Sequence, residues 1–251
     1  MGKTFVTLPH LSYGVSAIGP KKMPGEQWEI RSLHPCSPYT IDNKVLSWLS
    51  LTNDDAEQMA TFSSNLRRKI RKSQSMGFTV ETGHTNLIDD FYRLFSRNMH
   101  RLGAPAMEQA FYHNIVSQVG VGHARVFILY RKHRVAGGAI LLFHHKMAES
   151  CWLTTDPAYH HLYTTYLLHW SMISWSIAHQ MSIYSFGRST KNSGVHRYKQ
   201  QWGTTDHTLY RNFSHPVSLD LRNNPILAKT WKYTPSPLTT LLGPPIARLF
   251  Y

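Results

Sequence analysis

The chain has 251 residues, 42% of them hydrophobic and 12% aromatic, with 27 Lys+Arg against 14 Asp+Glu for a formal charge of +13. This composition excludes a low-complexity or disulfide-framed protein, and the charge favours anionic partners: nucleic acid, phosphorylated substrates or an acidic membrane surface. Cys36 and Cys151 stand far apart and form no CxxC, and the sixteen histidines show neither HExxH nor Cys/His ligand spacing, so no metal site is expected.

In chain order, residues 1–20 read as a short strand and loop, and 21–43 as a loop rich in Pro, Gly and Ser. The start "MGKTFVTLPH" lacks the apolar centre of a signal peptide, which reads as a cytoplasmic protein, in contact at most with the inner face of a membrane. "KVLSWLSL" (44–51) reads as a strand. Thr52 precedes Asp55 at capping-box spacing, so a helix is expected over 54–75, with Met59, Phe62, Leu66 and Ile70 as its apolar stripe and Gly77 as its stop. "FTVET" (78–82) is a further strand, followed by helices at 86–102 and 107–119. "ARVFILY" (124–130), "VAGGAILLF" (135–143) and "ESCWLTT" (149–155) form an antiparallel meander, and the second of these is too short to span a bilayer. A helix at 163–180, the strand "SIYSF" (182–186), a short helix at 193–201 and the strand "HTLYRNF" (207–213) follow, and a proline-rich, acid-free tail wraps the surface. The fold class is α+β, a central sheet covered by helices.

Two stretches carry candidate chemistry. In "FGRSTKNSGVHRYKQQWG" (186–203) six residues separate the glycines and Val195 follows the second, which rejects a Walker loop. What remains is a strand ending at Gly187, then Arg188, suited to a bidentate anion contact, the hydroxyls of Ser189 and Thr190, and a helix start that offers N–H groups. Lys199, flanked by Tyr198 and Trp202, is suited to stabilising developing negative charge if its ammonium is held and desolvated. Core roles for Tyr198 and Trp202, with a solvated Lys199, fit the same spacing. The second stretch, "NLRRKIRKSQ", sets Arg67, Arg68, Lys69, Arg71 and Lys72 on one helix with no acid among them, a surface for RNA phosphates or anionic lipid, or a merely solvated face. No GxSxG elbow is present.

These stretches, with "MHRLGAP" and "HHLYTTYLLHWSMISWSIAHQ", resemble the FemAB-related, GNAT-like acyltransferases, most nearly the group associated with exopolysaccharide and PEP-CTERM export. The resemblance implies a GNAT-like mixed sheet and four regions: 1–52 as the remnant of a first GNAT-like half, 53–77 as a basic connecting helix, 78–215 as the GNAT-like domain and 216–251 as a packed tail. It implies transfer of an aminoacyl or acyl group to an amine of a peptidoglycan or exopolysaccharide precursor, without a covalent enzyme intermediate. The donor would be aminoacyl-tRNA and no cofactor is needed. Tyr198 and Lys199 then lie at the transfer centre, with Gly187, Arg188, Ser189, Thr190, Trp202 and Tyr163 as the substrate-binding set. Two alternatives stay open, an acyl-CoA-dependent GNAT enzyme and a non-catalytic RNA- or membrane-binding member of the fold. Against acyl-CoA, the segment "DPAYHHL" (156–162) lacks the glycines of a pyrophosphate cradle.

Overall fold

The computed structural model describes residues 29–119, 123–216, 225–235, 239 and 242–247. The strand and loop expected over residues 1–20 lie outside the described residues. One eight-stranded sheet organises the fold, in the order β1-β8-β2-β7-β6-β5-β4-β3. Its strands are β1 (Glu29–Ser32), β2 (Tyr39–Ser50), β3 (Thr79–Gly83), β4 (Ala124–Arg131), β5 (Arg134–His144), β6 (Met147–Thr155), β7 (Ile183–Thr190) and β8 (Thr205–Phe213). Neighbours pair antiparallel except β6 and β7, which run parallel. This is the expected α+β, GNAT-like mixed sheet.

The helices are α1 (Asp55–Thr61), α2 (Ser64–Gln74), α3 (Ile88–Leu102), α4 (Gln109–Asn114), α5 (Thr164–Ala178), α6 (Gly194–Gln200) and α7 (Pro225–Tyr233). Phe62, Leu66 and Ile70 join Leu167, Trp170 and Ile173 of α5 in the core on one face of the sheet, and Ile88, Phe91 and Phe95 of α3 pack the other. Strand β5 lies between them: Ala139 and Leu141 belong to one cluster, Ile140 and Leu142 to the other. Burial on both faces explains why 135–143 is an unbroken apolar run.

Several expectations need correction. The helix foreseen over 54–75 is two helices, because Phe62 turns to an extended ψ of 151° and Ser63 caps a new start by accepting from Leu66 N. The apolar period runs through the break because both pieces face the same core. Asp54, not Thr52, caps α1, accepting from Glu57 N at 2.8 Å. The second piece ends at Gln74, so Gly77 (φ +69°) lies beyond its cap. The third helix stops at Asn114 and continues as a π-turn over Ile115–Val119. The loop of 21–43 contains β1 and the first part of β2. Buried Asn212 ties that turn down, accepting from Cys36 N and Thr40 Oγ1, each at 2.8 Å. Tyr39–Ser50 pairs with β7 and β8 inside the one sheet.

Candidate active site

The site is built where two parallel strands part. Strands β6 and β7 pair only at Met147↔Ile183, Ala148↔Tyr184 and Glu149↔Ser185, and then diverge. A cavity of about 1080 Å³ fills the wedge, lined by β6 from Glu149, by Phe186–Arg188 of β7, and by Tyr198 and Lys199 of α6. Divergence leaves strand edges facing the cavity, so backbone donors and acceptors there are open to a ligand.

Strand β7 is longer than the sequence suggests. Gly187, Arg188, Ser189 and Thr190 were expected to open a loop, yet Arg188, Ser189 and Thr190 pair with Leu46, Val45 and Lys44. The register shifts between Leu46 and Trp48, so a β-bulge falls at Phe186–Gly187, and Gly187 has φ +69°. A Cβ there would meet Ser150 O at 3.2 Å, in a conformation L-residues avoid, which requires glycine.

Helix α6 is pinned at both ends. Ser193 Oγ accepts from His196 N at 3.1 Å, so the start of this short helix is capped by its own chain. Buried His196 places Nε2 2.7 Å from Asp206 Oδ2, which also accepts from Gln200 Nε2 at 2.9 Å, while Asp206 Oδ1 accepts from Ser47 Oγ at 3.0 Å. Those bonds hold the Asp206 carboxyl below the usual carboxylate range against its partial burial.

The helix so fixed delivers Lys199, which is 6% exposed, to the bulge. Its Nζ donates to Gly187 O at 2.8 Å and Arg188 O at 3.0 Å. An ammonium has three N–H donors, so one remains for a ligand. Burial lowers the Lys199 pKa to about 8, against the opposing pull of Glu149. Glu149 is 2% exposed, accepts from Ser185 Oγ at 3.0 Å, and is pushed up to about 7 by burial, with Ser185, Lys199 and Arg188 acting in the opposite direction. A carboxyl poised near neutrality beside a desolvated ammonium on a cavity wall matches a general base with an oxyanion stabiliser. His169 from α5 completes the wall as a neutral imidazole. Burial and the charge of Lys199 lower its pKa to about 3, and Nδ1 lies 2.8 Å from the Tyr184 hydroxyl.

The fold sorts the substrate-binding candidates. Gly187, Arg188, Tyr198 and Lys199 come together on the cavity. The Tyr198 hydroxyl is buried, faces the Trp202 indole without a hydrogen bond of normal geometry, and is kept protonated by burial. Trp202 is 1% exposed and belongs to the core, edge-on to Phe62 at 5.5 Å. Ser189 is buried on the strand face away from the cavity, and Thr190 is exposed and accepts from Lys44 Nζ. Tyr163 caps α5 in the left-handed region (φ +60°) and lies under Lys72, 5.6 Å from its ring centroid, outside the cavity lining. Sequence reasoning missed Glu149 and Arg31, which also lines the cavity. A lone acid among the apolar residues of "MAESCW" is the signal that points to Glu149.

On α2 the basic side chains divide. Arg67 donates to Phe62 O at 2.6 Å and so closes the end of α1. Lys69 donates to Tyr166 Oη at 3.1 Å and Gln201 Oε1 at 3.2 Å. Arg68, Arg71 and Lys72 are exposed. Among the described residues none of these five cations forms a salt bridge.

The turn between β6 and α5 bears on the donor. It is a 3₁₀ helix, Pro157–Leu162, at which three amides are already engaged: Ala158 N donates to Asp156 Oδ1, Tyr159 N to Asp156 O and, just beyond it, Tyr163 N to His160 O, each at 3.0 Å. The segment holds no glycine.

Comparison with known proteins agrees with this geometry. No curated protein sequence matches the chain. Among solved structures it is similar to FemX (TM-score 0.61, 15% identity, 70% of this chain and 63% of that one). It is similar also to the C-terminal domain assigned to a lysylphosphatidylglycerol synthetase from Agrobacterium fabrum (0.56, 14%, 76% and 68%) and to L-PGS from Bacillus licheniformis (0.52, 10%, 81% and 66%). The chain thus spans less than two thirds of FemX, and at these identities the likeness is one of fold. Residues 60–200, more than half of the sequence and including the wedge, Glu149 and Lys199, match the acetyltransferase (GNAT) domain, and the chain belongs to that family.

Proposed function

We propose that the chain is a Fem-like aminoacyl- or acyltransferase that moves an acyl group from an ester-linked carrier, in the first instance aminoacyl-tRNA, to an amine of a cell-envelope precursor of the peptidoglycan or exopolysaccharide type. The observation that carries this reading is the pairing of Glu149 and Lys199 on one cavity inside a GNAT wedge whose turn between β6 and α5 lacks glycine. The name of one fold neighbour, a lysylphosphatidylglycerol synthetase, couples lysine with phosphatidylglycerol and supports an amino acid as the group transferred and an envelope molecule as the acceptor.

The acceptor amine attacks the ester carbonyl carbon. A C–N bond forms, and the carbonyl electrons move onto oxygen, where the third N–H of Lys199 meets the negative charge. Glu149 takes the proton released by the nitrogen and returns it to the carrier oxygen as the C–O bond breaks. No side chain is acylated. Arg31 and Arg188 place two guanidinium groups on the cavity wall, a group type suited to an acceptor bearing carboxylate or phosphate.

The purified chain is to be offered aminoacyl-tRNA and acyl-CoA in parallel, each with amine-bearing precursor extracts. New amide with loss of aminoacyl-tRNA is the expected result. Consumption of acyl-CoA in its place would replace the donor, and consumption of neither would sink the reading in favour of a non-catalytic binding role.

A further inference from the structure

The charged and the apolar lining of the wedge come from different elements. Arg31, Arg188 and Lys199 reach the cavity from β1, β7 and α6. Its apolar wall is Met107, Phe111 and Ile115, from α4 and its flanks, with Cys151, Trp152 and Leu153 of β6. Phe111 and Ile115 are four residues apart, the spacing that sets side chains on one helical face. Ile115 also opens the π-turn, an element that recurs at functional sites.

This wall is fixed by the core behind it. Tyr112, 2% exposed, meets Phe111 edge-on at 5.2 Å and Trp152 edge-on at 5.5 Å, and the latter two rings meet edge-on at 6.1 Å. Phe111, Trp152 and Leu153 nevertheless stay half-buried, so apolar surface faces the cavity uncovered, as in a pocket shaped for an apolar group.

Along β6 the wall is short. Glu149 and Ser150 precede it and Thr154 and Thr155 follow, with Thr155 Oγ1 3.0 Å from His160 Nε2 and 3.3 Å from Thr165 Oγ1. Three residues remain, about 10 Å of strand at roughly 3.3 Å each. That span suits one side chain better than a long hydrocarbon tail. It begins two residues after Glu149, where the function above places the reacting carbonyl, so its occupant belongs to the group being transferred. The guanidinium groups of Arg31 and Arg188 are left to the acceptor.

We propose that the apolar wall is the side-chain pocket for the transferred group, and that this group is an aminoacyl bearing a bulky apolar side chain of the leucyl or phenylalanyl kind. A glycyl or seryl group leaves the wall uncovered, and a lysyl group brings a charge onto it. The proposal rests on the function above in taking the cavity as the transfer site.

The test is calorimetric titration of the chain with the methyl esters of phenylalanine, leucine, glycine, lysine and isocaproic acid, the last being leucine without its amine. The phenylalanine and leucine esters are expected to bind about tenfold or more tighter than the glycine ester. In Phe111→Ala that preference is expected to fall to about threefold or less, and in Phe111→Leu to persist. Leu153→Ala is a second route to the same loss that leaves the aromatic cluster intact. Each preference is a ratio within one variant, so a smaller folded fraction cancels. Equal affinity for the glycine and leucine esters overturns the pocket, as do a lysine ester that binds as tightly as leucine, no binding of either apolar ester, or a preference that survives both alanine substitutions. Tighter binding of the isocaproate ester than of the leucine ester overturns the amino acid as the group carried. Turnover separates the pocket from the transferase. Glycyl transfer as fast as leucyl transfer removes the pocket and leaves the transferase, while the expected binding preference without any transfer does the reverse.

Discussion

Two groups of cations lie on neighbouring elements and are handled in opposite ways. Lys199 is single, buried and held by two backbone carbonyls, whereas Arg68, Arg71 and Lys72 are several, exposed and without a salt bridge among the described residues. Burial changes what the first one is: its pKa falls to about 8 and its position is set by the bulge. Exposure leaves the others as ordinary charges whose attraction is long-ranged and weakened by salt. The difference teaches that net charge, the first thing seen in this sequence, conceals two arrangements, one of placement and one of accumulation.

Breaking the buried side has the largest expected effect. Lys199→Ala is expected to lower the transfer rate by about 10²–10³-fold, the usual cost of removing one oxyanion donor, with the far-ultraviolet circular dichroism unchanged. Full turnover in that variant would remove Lys199 from the chemistry. Next is Glu149→Gln, expected to cost about 10²-fold or more and to alter the pH profile. In the wild type, Glu149 must be ionised to take a proton and Lys199 must be protonated to give one. Activity is therefore expected to fall below about pH 7 and above about pH 8. In Glu149→Gln the acid limb should vanish while the alkaline limb stays, and an unchanged acid limb would assign it to another group. The smallest effect sharpens the contrast from the exposed side. Replacing Arg68, Arg71 and Lys72 of α2 together by Gln is expected to shift folding stability by no more than about 0.5 kcal/mol per substitution, measured by urea unfolding, and a larger loss would make those cations part of the fold.

The comparison also separates what the sequence shows from what it hides. Period and alternation reveal β4, β5, β6, α3 and α5 almost to their ends, because each buries a regular face. The break at Phe62–Ser63 is hidden, since both helices keep their apolar residues on one core and the 3.6-residue rhythm does not register a change of direction. Strand β1 is hidden because its pairing partner, β8, lies about 180 residues away. In the site, Lys199 stands out in sequence by its aromatic neighbours, but that spacing fits a solvated lysine equally well, and only the fold shows it buried. Glu149 is not, because its partners Ser185 and Lys199 lie 36 and 50 residues on and a single strand acid carries no spacing to read. Trp202 misleads in the other direction: adjacency to Lys199 in sequence suggests contact with substrate, and the helix turns it into the core.

The bulge at Gly187 has a mechanical meaning. In a regular strand successive carbonyls point to opposite neighbours, so one amine does not reach two in a row. The left-handed residue swings one peptide plane round, and the oxygens of residues 187 and 188 converge on Nζ of Lys199. The ammonium is thus seated by two carbonyl dipoles, with the charge of Glu149 as a nearby counterweight that favours its protonated form. One torsion angle acts as the hinge pin of the site.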